Sequence, residues 1–143
     1  MEIMTQKIQD ELKSLLKKHG VVLAYLFGSM ANGKITPLSD IDIAVVFSKQ
    51  TPKNEYFDRE LRIATEVSTL CEIEHADIVN LETAHSPLLK YNAVFHGKLL
   101  LSFGEEKRRQ FEFGIMQEHE DTEHLREAAY KILINRTIIN NHK

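Results

Sequence analysis

Residues 21–47 read VVLAYLFGSMANGKITPLSDIDIAVVF, so two apolar runs enclose a Gly-Ser pair and an Asp-x-Asp pattern. Short apolar runs of this kind predict buried strands, here at about 21–27 and 40–47. Gly28 therefore ends one strand, and Asp40 and Asp42 open the next. Carboxylates that alternate with apolar residues inside a strand are costly to bury, which favours a functional site over a capped surface turn.

The residue types in this stretch suit the binding of a phosphorylated ligand. Gly28 has no Cβ, so the backbone can approach a phosphate closely. The Ser29 hydroxyl and nearby backbone N–H groups can hold phosphate oxygens. Asp40 and Asp42 stand at positions i and i+2 of a strand and so point to one face. Two carboxylates beside a phosphate cradle are a site for hard divalent cations such as Mg²⁺.

The composition is that of one ordinary globular domain spanning residues 1–143, with 43% hydrophobic residues. The net charge of −3 argues against direct nucleic-acid binding. The longest apolar runs, about seven residues, are too short to cross a membrane. The first residues lack a basic segment followed by an apolar core, so we expect no signal peptide and a cytoplasmic location. The lone cysteine, Cys71, is predicted to be a small core residue.

The rest of the chain alternates helical and strand patterns. We predict helices at about 5–18, 55–71 and 86–95, and strands at about 75–81 and 98–103. The expected buried face of the second helix comprises Phe57, Leu61, Ala64, Val67, Ser68 and Cys71. The predicted fold class is α/β (α+β), a small mixed β-sheet with helices packed against it.

Residues 105–140 are predicted to form a C-terminal helical extension in two segments, with a break near Gly114 or at 118–121. Its many apolar positions either pack on the back of the sheet or form an exposed surface for a partner.

Asp77 lies in the predicted strand at 75–81. Neighbouring strands lie about 4.8 Å apart, so adjacency of this strand to the one at 40–47 would bring three carboxylates together. Such a cluster is repulsive unless cations occupy it, and two Mg²⁺ ions about 3.5–4 Å apart can clamp a phosphoryl displacement. If the two strands are not neighbours, Asp77 is a carboxylate at the edge of a strand and has no catalytic role.

The catalytic hypothesis gives each residue a role. Asp40 and Asp42 hold the metals and the triphosphate, while Asp77 completes the metal site and helps to deprotonate an acceptor hydroxyl. Gly28 and Ser29 grip the β- and γ-phosphates. Attack at the α-phosphorus then releases pyrophosphate and leaves a nucleotide on the acceptor.

These residues resemble the nucleotidyltransferase superfamily of the DNA polymerase β type. The matching segments are Phe27-Gly28-Ser29 and Ser39-Asp40-Ile41-Asp42-Ile43, with Asp77 as the third carboxylate. Over about residues 10–103 the chain is most similar to the minimal nucleotidyltransferases (MNT), short members without a separate substrate-recognition domain. The resemblance implies a polymerase β-like fold.

For the site, the resemblance implies nucleotide binding by Gly28, Ser29, Lys34 and Ser39. Many relatives carry an arginine directly after Gly-Ser, where this chain has Met30. Lys34 could supply the missing positive charge from the same loop.

The resemblance also implies a partner and a reaction. MNT proteins are commonly antitoxins paired with a helical ribonuclease toxin of the HEPN type. In well-understood members, the antitoxin transfers AMP from ATP to a tyrosine of the toxin. This chain would then be the antitoxin of a type VII-like HEPN/MNT pair, a protein adenylyltransferase using two Mg²⁺ ions and forming a hetero-oligomer with the toxin. Two alternatives stay open: transfer to a small molecule such as an aminoglycoside, and a non-catalytic antitoxin that acts by contact alone.

Overall fold

A mixed sheet of four strands and four α-helices make up the described part of the chain, residues 5–28 and 40–141, in a computed structural model. The elements are α1 (Gln6–Lys18), β1 (Val21–Phe27), β2 (Asp40–Phe47), α2 (Tyr56–Cys71), β3 (His75–Asn80), α3 (Pro87–His96), β4 (Lys98–Leu101) and α4 (Glu105–Asn141). A 3₁₀ turn, Lys53–Glu55, leads into α2. The predicted fold class is confirmed.

The strand order is β3-β2-β1-β4. Strand β1 runs antiparallel to both β2 and β4, whereas β2 and β3 are parallel. Helix α2 forms the long crossover that a parallel pair requires. Because β1 is antiparallel to β2, its last residues lie where β2 and β3 begin. The ends of these three strands therefore meet at one edge of the sheet, which is formed by strand termini and not by an outer strand.

Each face of the sheet has its own layer of apolar side chains. On one face, Ile41, Ile43 and Val45 of β2 pack with α1 and α2. On the other face, Ala44 and Val46 pack with α3 and the first part of α4. This alternation along β2 determines which face carries the strand's carboxylates.

Helix α2 buries only part of the face that the sequence predicted. Ile63, Val67 and Cys71 are buried, while Phe57 and Leu61 are 72% and 53% exposed. The prediction is confirmed for Val67 and Cys71 and wrong for Phe57 and Leu61. The apolar residues of this segment trace two faces, and only the i, i+4, i+8 stripe meets the sheet. Cys71 does lie in the core, where burial raises the pKa of its thiol to about 11.

Helix α4 is continuous, so the predicted break near Gly114 or 118–121 was wrong. Gly114 lies in open surroundings, since a Cβ added there would meet no atom of another element within 4 Å. A glycine inside a helix costs only about 1 kcal/mol. The polar stretch is stabilised locally, since the Arg126 guanidinium donates to the Thr122 hydroxyl and to the His119 carbonyl.

The first half of α4 is anchored to the domain. Ile115 is buried, and the buried Tyr25 hydroxyl donates to Glu112 at 2.7 Å. Lys90 of α3 pairs with Glu118 at 3.1 Å. Beyond this region, every residue from 127 to 137 is exposed. No described helix is both long and apolar enough to cross a lipid bilayer.

Candidate active site

Gly28 follows the last residue of β1 and touches the second aspartate of the Asp-x-Asp pattern. Its φ is +77°, a conformation that side chains with a Cβ rarely adopt. A Cβ at this position would lie 2.5 Å from Oδ2 of Asp42. The pairing of Phe27 with Asp42 across β1 and β2 creates this approach. A glycine is therefore required for β1 to end against that carboxylate.

The three predicted carboxylates share one edge and one face of the sheet. Asp42 and Asp77 are direct partners in the parallel β2–β3 ladder, and Asp40 is the partner of His75. Alternate residues of a strand share a face, so Asp40 and Asp42 lie on the same face of the sheet as Ala44. Asp77 lies beside Asp42, so all three carboxylates are on the face covered by α3. Asp40 and Asp77 are exposed, and Asp42 is partly buried.

Among the described residues, the three carboxylates form an anionic cluster without a paired cation. Partial burial raises the pKa of the Asp42 carboxyl, and the negative charges of Asp77 and Asp40 raise it further. None of the ion pairs among the described residues involves these three carboxylates. Such a cluster favours the approach of a cation.

Within residues 5–28 and 40–141, no three His, Cys, Asp or Glu side chains are grouped closely enough to hold a metal ion by themselves. Mg²⁺ is usually bound through one or two carboxylates, with waters and substrate phosphates completing its ligands. The three aspartates suit this kind of Mg²⁺ binding, because their carboxylates are hard oxygen ligands and the adjacent glycine leaves room for phosphate.

A cavity of about 610 Å³ adjoins Gly28 on the same face of the sheet. Its lining consists of Phe27, Gly28, Ser86, Leu88, Leu89, Asn92 and His96. Apart from Gly28, sequence reasoning named none of these as site residues. The available signal was weak: Asn92 and His96 are polar positions four residues apart in α3, whose other residues, apart from Lys90, are apolar or aromatic.

The other predicted nucleotide-binding residues, Ser29, Lys34 and Ser39, lie outside the described residues, as does Met30. Their roles stay predictions.

Replacing Gly28 with alanine is expected to destabilise the protein by about 1–3 kcal/mol, because the positive φ becomes strained and the new methyl group meets the Asp42 carboxylate. The matched control is Gly114→Ala, which meets no atom within 4 Å and should stabilise α4 by roughly 0.5–1 kcal/mol. Urea denaturation of the two variants measures both effects. Equal stability of the two variants would contradict the close approach of Gly28 to Asp42.

Similarity to known proteins agrees with this geometry. The family model of the polymerase beta nucleotidyltransferases matches residues 10–107. Caffeine-induced protein 16 of Schizosaccharomyces pombe is 30% identical over 96 residues, which are 67% of this chain and only 7% of that protein.

Solved structures share the fold at low identity. A chain from a toxin–antitoxin structure with AMP-PNP superimposes with a TM-score of 0.73 at 23% identity, covering 88% of this chain and 98% of that one. A chain from the complex of a tri-AMPylated Shewanella oneidensis HEPN toxin with its MNT antitoxin gives 0.71 at 22% identity, covering 92% and 99%.

The strand order, the carboxylates at one sheet edge and the glycine beside them define a nucleotidyltransferase fold. The chain belongs to the polymerase beta nucleotidyltransferase family, whose model covers more than half of it.

Proposed function

We propose that this chain is an antitoxin that transfers AMP from ATP to a tyrosine of a HEPN-type ribonuclease toxin and thereby silences it. The observation that carries the proposal is the juxtaposition of Asp40, Asp42 and Asp77 beside Gly28, next to a cavity of about 610 Å³. Chains of similar fold come from toxin–antitoxin structures, one with an ATP analogue and one with an AMPylated toxin.

The reaction assigns a task to each carboxylate. Asp40 and Asp42 would hold Mg²⁺, together with water and phosphate oxygens, and the bound metal would neutralise charge on the triphosphate. Asp77 lies beside Asp42 but is more exposed, so it can meet a hydroxyl presented by a second protein. Its role is to accept the proton of that hydroxyl.

The group transfer is a single displacement. The acceptor oxygen forms a bond to the α-phosphorus, and the bond from that phosphorus to the oxygen bridging to the β-phosphate breaks. Pyrophosphate leaves with the electron pair of the broken bond, and the hydroxyl proton passes through Asp77 to water. The backbone around Gly28 and the Ser29 hydroxyl hold the β- and γ-phosphates, which fixes the α-phosphorus in front of the acceptor.

The far half of α4 supports a protein partner over a small acceptor. Leu125 and Leu133 are 70% and 61% exposed, and Ile132 is 52% exposed. With Ala129 they follow 3–4 spacing and so form one stripe, which we call the α4 stripe. A helix exposed on all sides gains little from tertiary packing, which normally supplies most helical stability. The α4 stripe would be buried by a helix of the toxin.

Intact-mass measurement tests this function. The chain is produced with the protein that co-purifies with it from its native host, with and without ATP and Mg²⁺. The proposal predicts that the partner gains one or more AMP units, that fragmentation places them on a tyrosine, and that ribonuclease activity falls. A partner whose ribonuclease activity falls while its mass is unchanged would overturn the catalytic proposal in favour of inhibition by contact.

A further inference from the structure

The cavity beside Gly28 has a composition that phosphate binding alone does not explain. Its volume of about 610 Å³ lies within the usual range for small-ligand sites. Part of its lining is apolar: Leu88 and Leu89 of α3 and Phe27 at the end of β1. Leu88 is 43% exposed. An apolar surface of this kind suits a flat ring rather than a phosphate.

We propose that this cavity holds the nucleoside half of the nucleotide and that Asn92 is the residue that selects adenine. The inference rests on the proposed function, because it extends the same site from the phosphates to the base. It adds a specificity-determining residue in α3, outside the Gly-Ser and Asp-x-Asp segments.

The cavity is continuous with the catalytic edge of the sheet. Gly28 lines the cavity and also lies against Asp42. Gly97 holds the end of α3 against β1, since a Cβ there would be 2.8 Å from the Leu26 carbonyl oxygen and 3.2 Å from Cβ of Phe27. His96 is therefore near the phosphate end, and Leu88 lies about two turns of helix, roughly 12 Å, further away. This span suits a nucleoside lying along α3.

The polar groups of the cavity are placed to read a base. Asn92 and His96 are four residues apart, so they lie on the same side of α3. Among the described residues, neither side chain has a hydrogen-bond partner, which leaves the Asn92 amide available to a ligand. An amide offers one acceptor and two donors. This set matches adenine, which presents an amino donor beside a ring-nitrogen acceptor.

The hydrogen-bond donors and acceptors of the Asn92 side chain should therefore set the base preference. An Asn92→Asp carboxylate can only accept hydrogen bonds, so it loses the donor that adenine requires. It gains complementarity to guanine, which presents two neighbouring donors on its pairing edge. We expect the ratio of ATP affinity to GTP affinity to fall by about 10–100-fold. The control is Asn54→Asp, the same change at an exposed position outside the cavity.

Fluorescent ATP and GTP analogues provide the affinities, and thermal melting verifies that each variant is folded. A fall of the ratio in Asn92→Asp but not in Asn54→Asp supports the proposal, and an unchanged ratio in a folded Asn92→Asp variant overturns it. Because the experiment measures nucleotide affinity, its result does not depend on the partner protein. Wild-type protein that binds neither nucleotide would instead overturn the proposed function itself.

Photolabelling tests the same site without any substitution. Wild-type protein is irradiated with ATP that carries an azide on its adenine ring, and the labelled peptide is sequenced. Label within residues 86–98, or on Phe27 or Gly28, which also line the cavity, supports the proposal. Label confined to other segments, with ATP itself competing it away, overturns the cavity as the base site while leaving nucleotide binding intact.

Discussion

Replacing Asp42 with asparagine is expected to lower nucleotidyl transfer about 10³-fold or more and, at the same time, to stabilise the ligand-free protein. The loss follows because Asp42 lies between Asp40 and Asp77 and against Gly28, at the centre of the proposed metal and phosphate site. Removing a metal-binding charge of this kind costs roughly 4 kcal/mol or more of transition-state stabilisation.

The stabilisation follows from the raised pKa of Asp42. A carboxyl whose pKa rises on folding from its ordinary 3.8 contributes stability below that pH and loses it as the pH rises through the folded pKa. At neutral pH the ionised side chain is therefore destabilised by its partial burial and by repulsion from Asp77 and Asp40. After allowance for solvent screening, asparagine should recover about 0.5 kcal/mol, or roughly 1–3 °C in melting temperature.

Calorimetry without nucleotide and a transfer assay with it measure the two effects. The matched control is Asp58→Asn, which removes an exposed carboxylate paired with Arg62 on α2. This control should keep full transfer activity and should not gain stability. Activity of Asp42→Asn within tenfold of wild type would contradict the assigned role of Asp42.

Introducing Leu125→Asp together with Leu133→Asp is expected to weaken binding of the partner by about 100-fold or more while leaving the fold intact. Both side chains are more than half exposed in the isolated chain, so their replacement removes no packing there. In the proposed complex each would place a charge in an apolar interface, at a cost of at least about 1.5 kcal/mol per residue. Titration calorimetry with the purified partner measures the affinity.

Phe57→Asp is the control for this second prediction. Phe57 is 72% exposed on α2, so the change likewise puts a charge at an exposed apolar position, away from α4. Binding should be unaffected. If Phe57→Asp weakens binding while the double change in the α4 stripe does not, the partner contacts α2 and the proposed docking surface is wrong.

The fold could be predicted because local patterns and topology agree along most of the chain. The apolar runs around Gly28 and Asp42 identify β1 and β2, and alternation then places both aspartates of the pattern on one face. The adjacency of β2 and β3 is left open by the sequence, and the structure shows the two strands as a parallel pair joined by the α2 crossover. The ladder that pairs Asp42 with Asp77 is a consequence of that adjacency.

Other features depended on tertiary contacts that a single sequence does not display. Val67 and Cys71 of α2 are buried as predicted, whereas Phe57 and Leu61 were wrongly included, because two apolar stripes were available and only the sheet selects between them. The helix break predicted at Gly114 was wrong because one glycine inside a helix costs only about 1 kcal/mol. Asn92 and His96 were missed because their relation to Gly28 depends on the packing of α3 against β1.

The most direct test of the central claim uses the chain, its co-purified partner, Mg²⁺ and ATP labelled at either the α- or the γ-phosphate. We expect label on the partner from α-labelled ATP only, and none when Asp40→Asn and Asp42→Asn are combined. Label from the γ-phosphate would show a kinase and contradict nucleotidyl transfer. A partner that is bound and silenced without any label would contradict catalysis as the means of neutralisation.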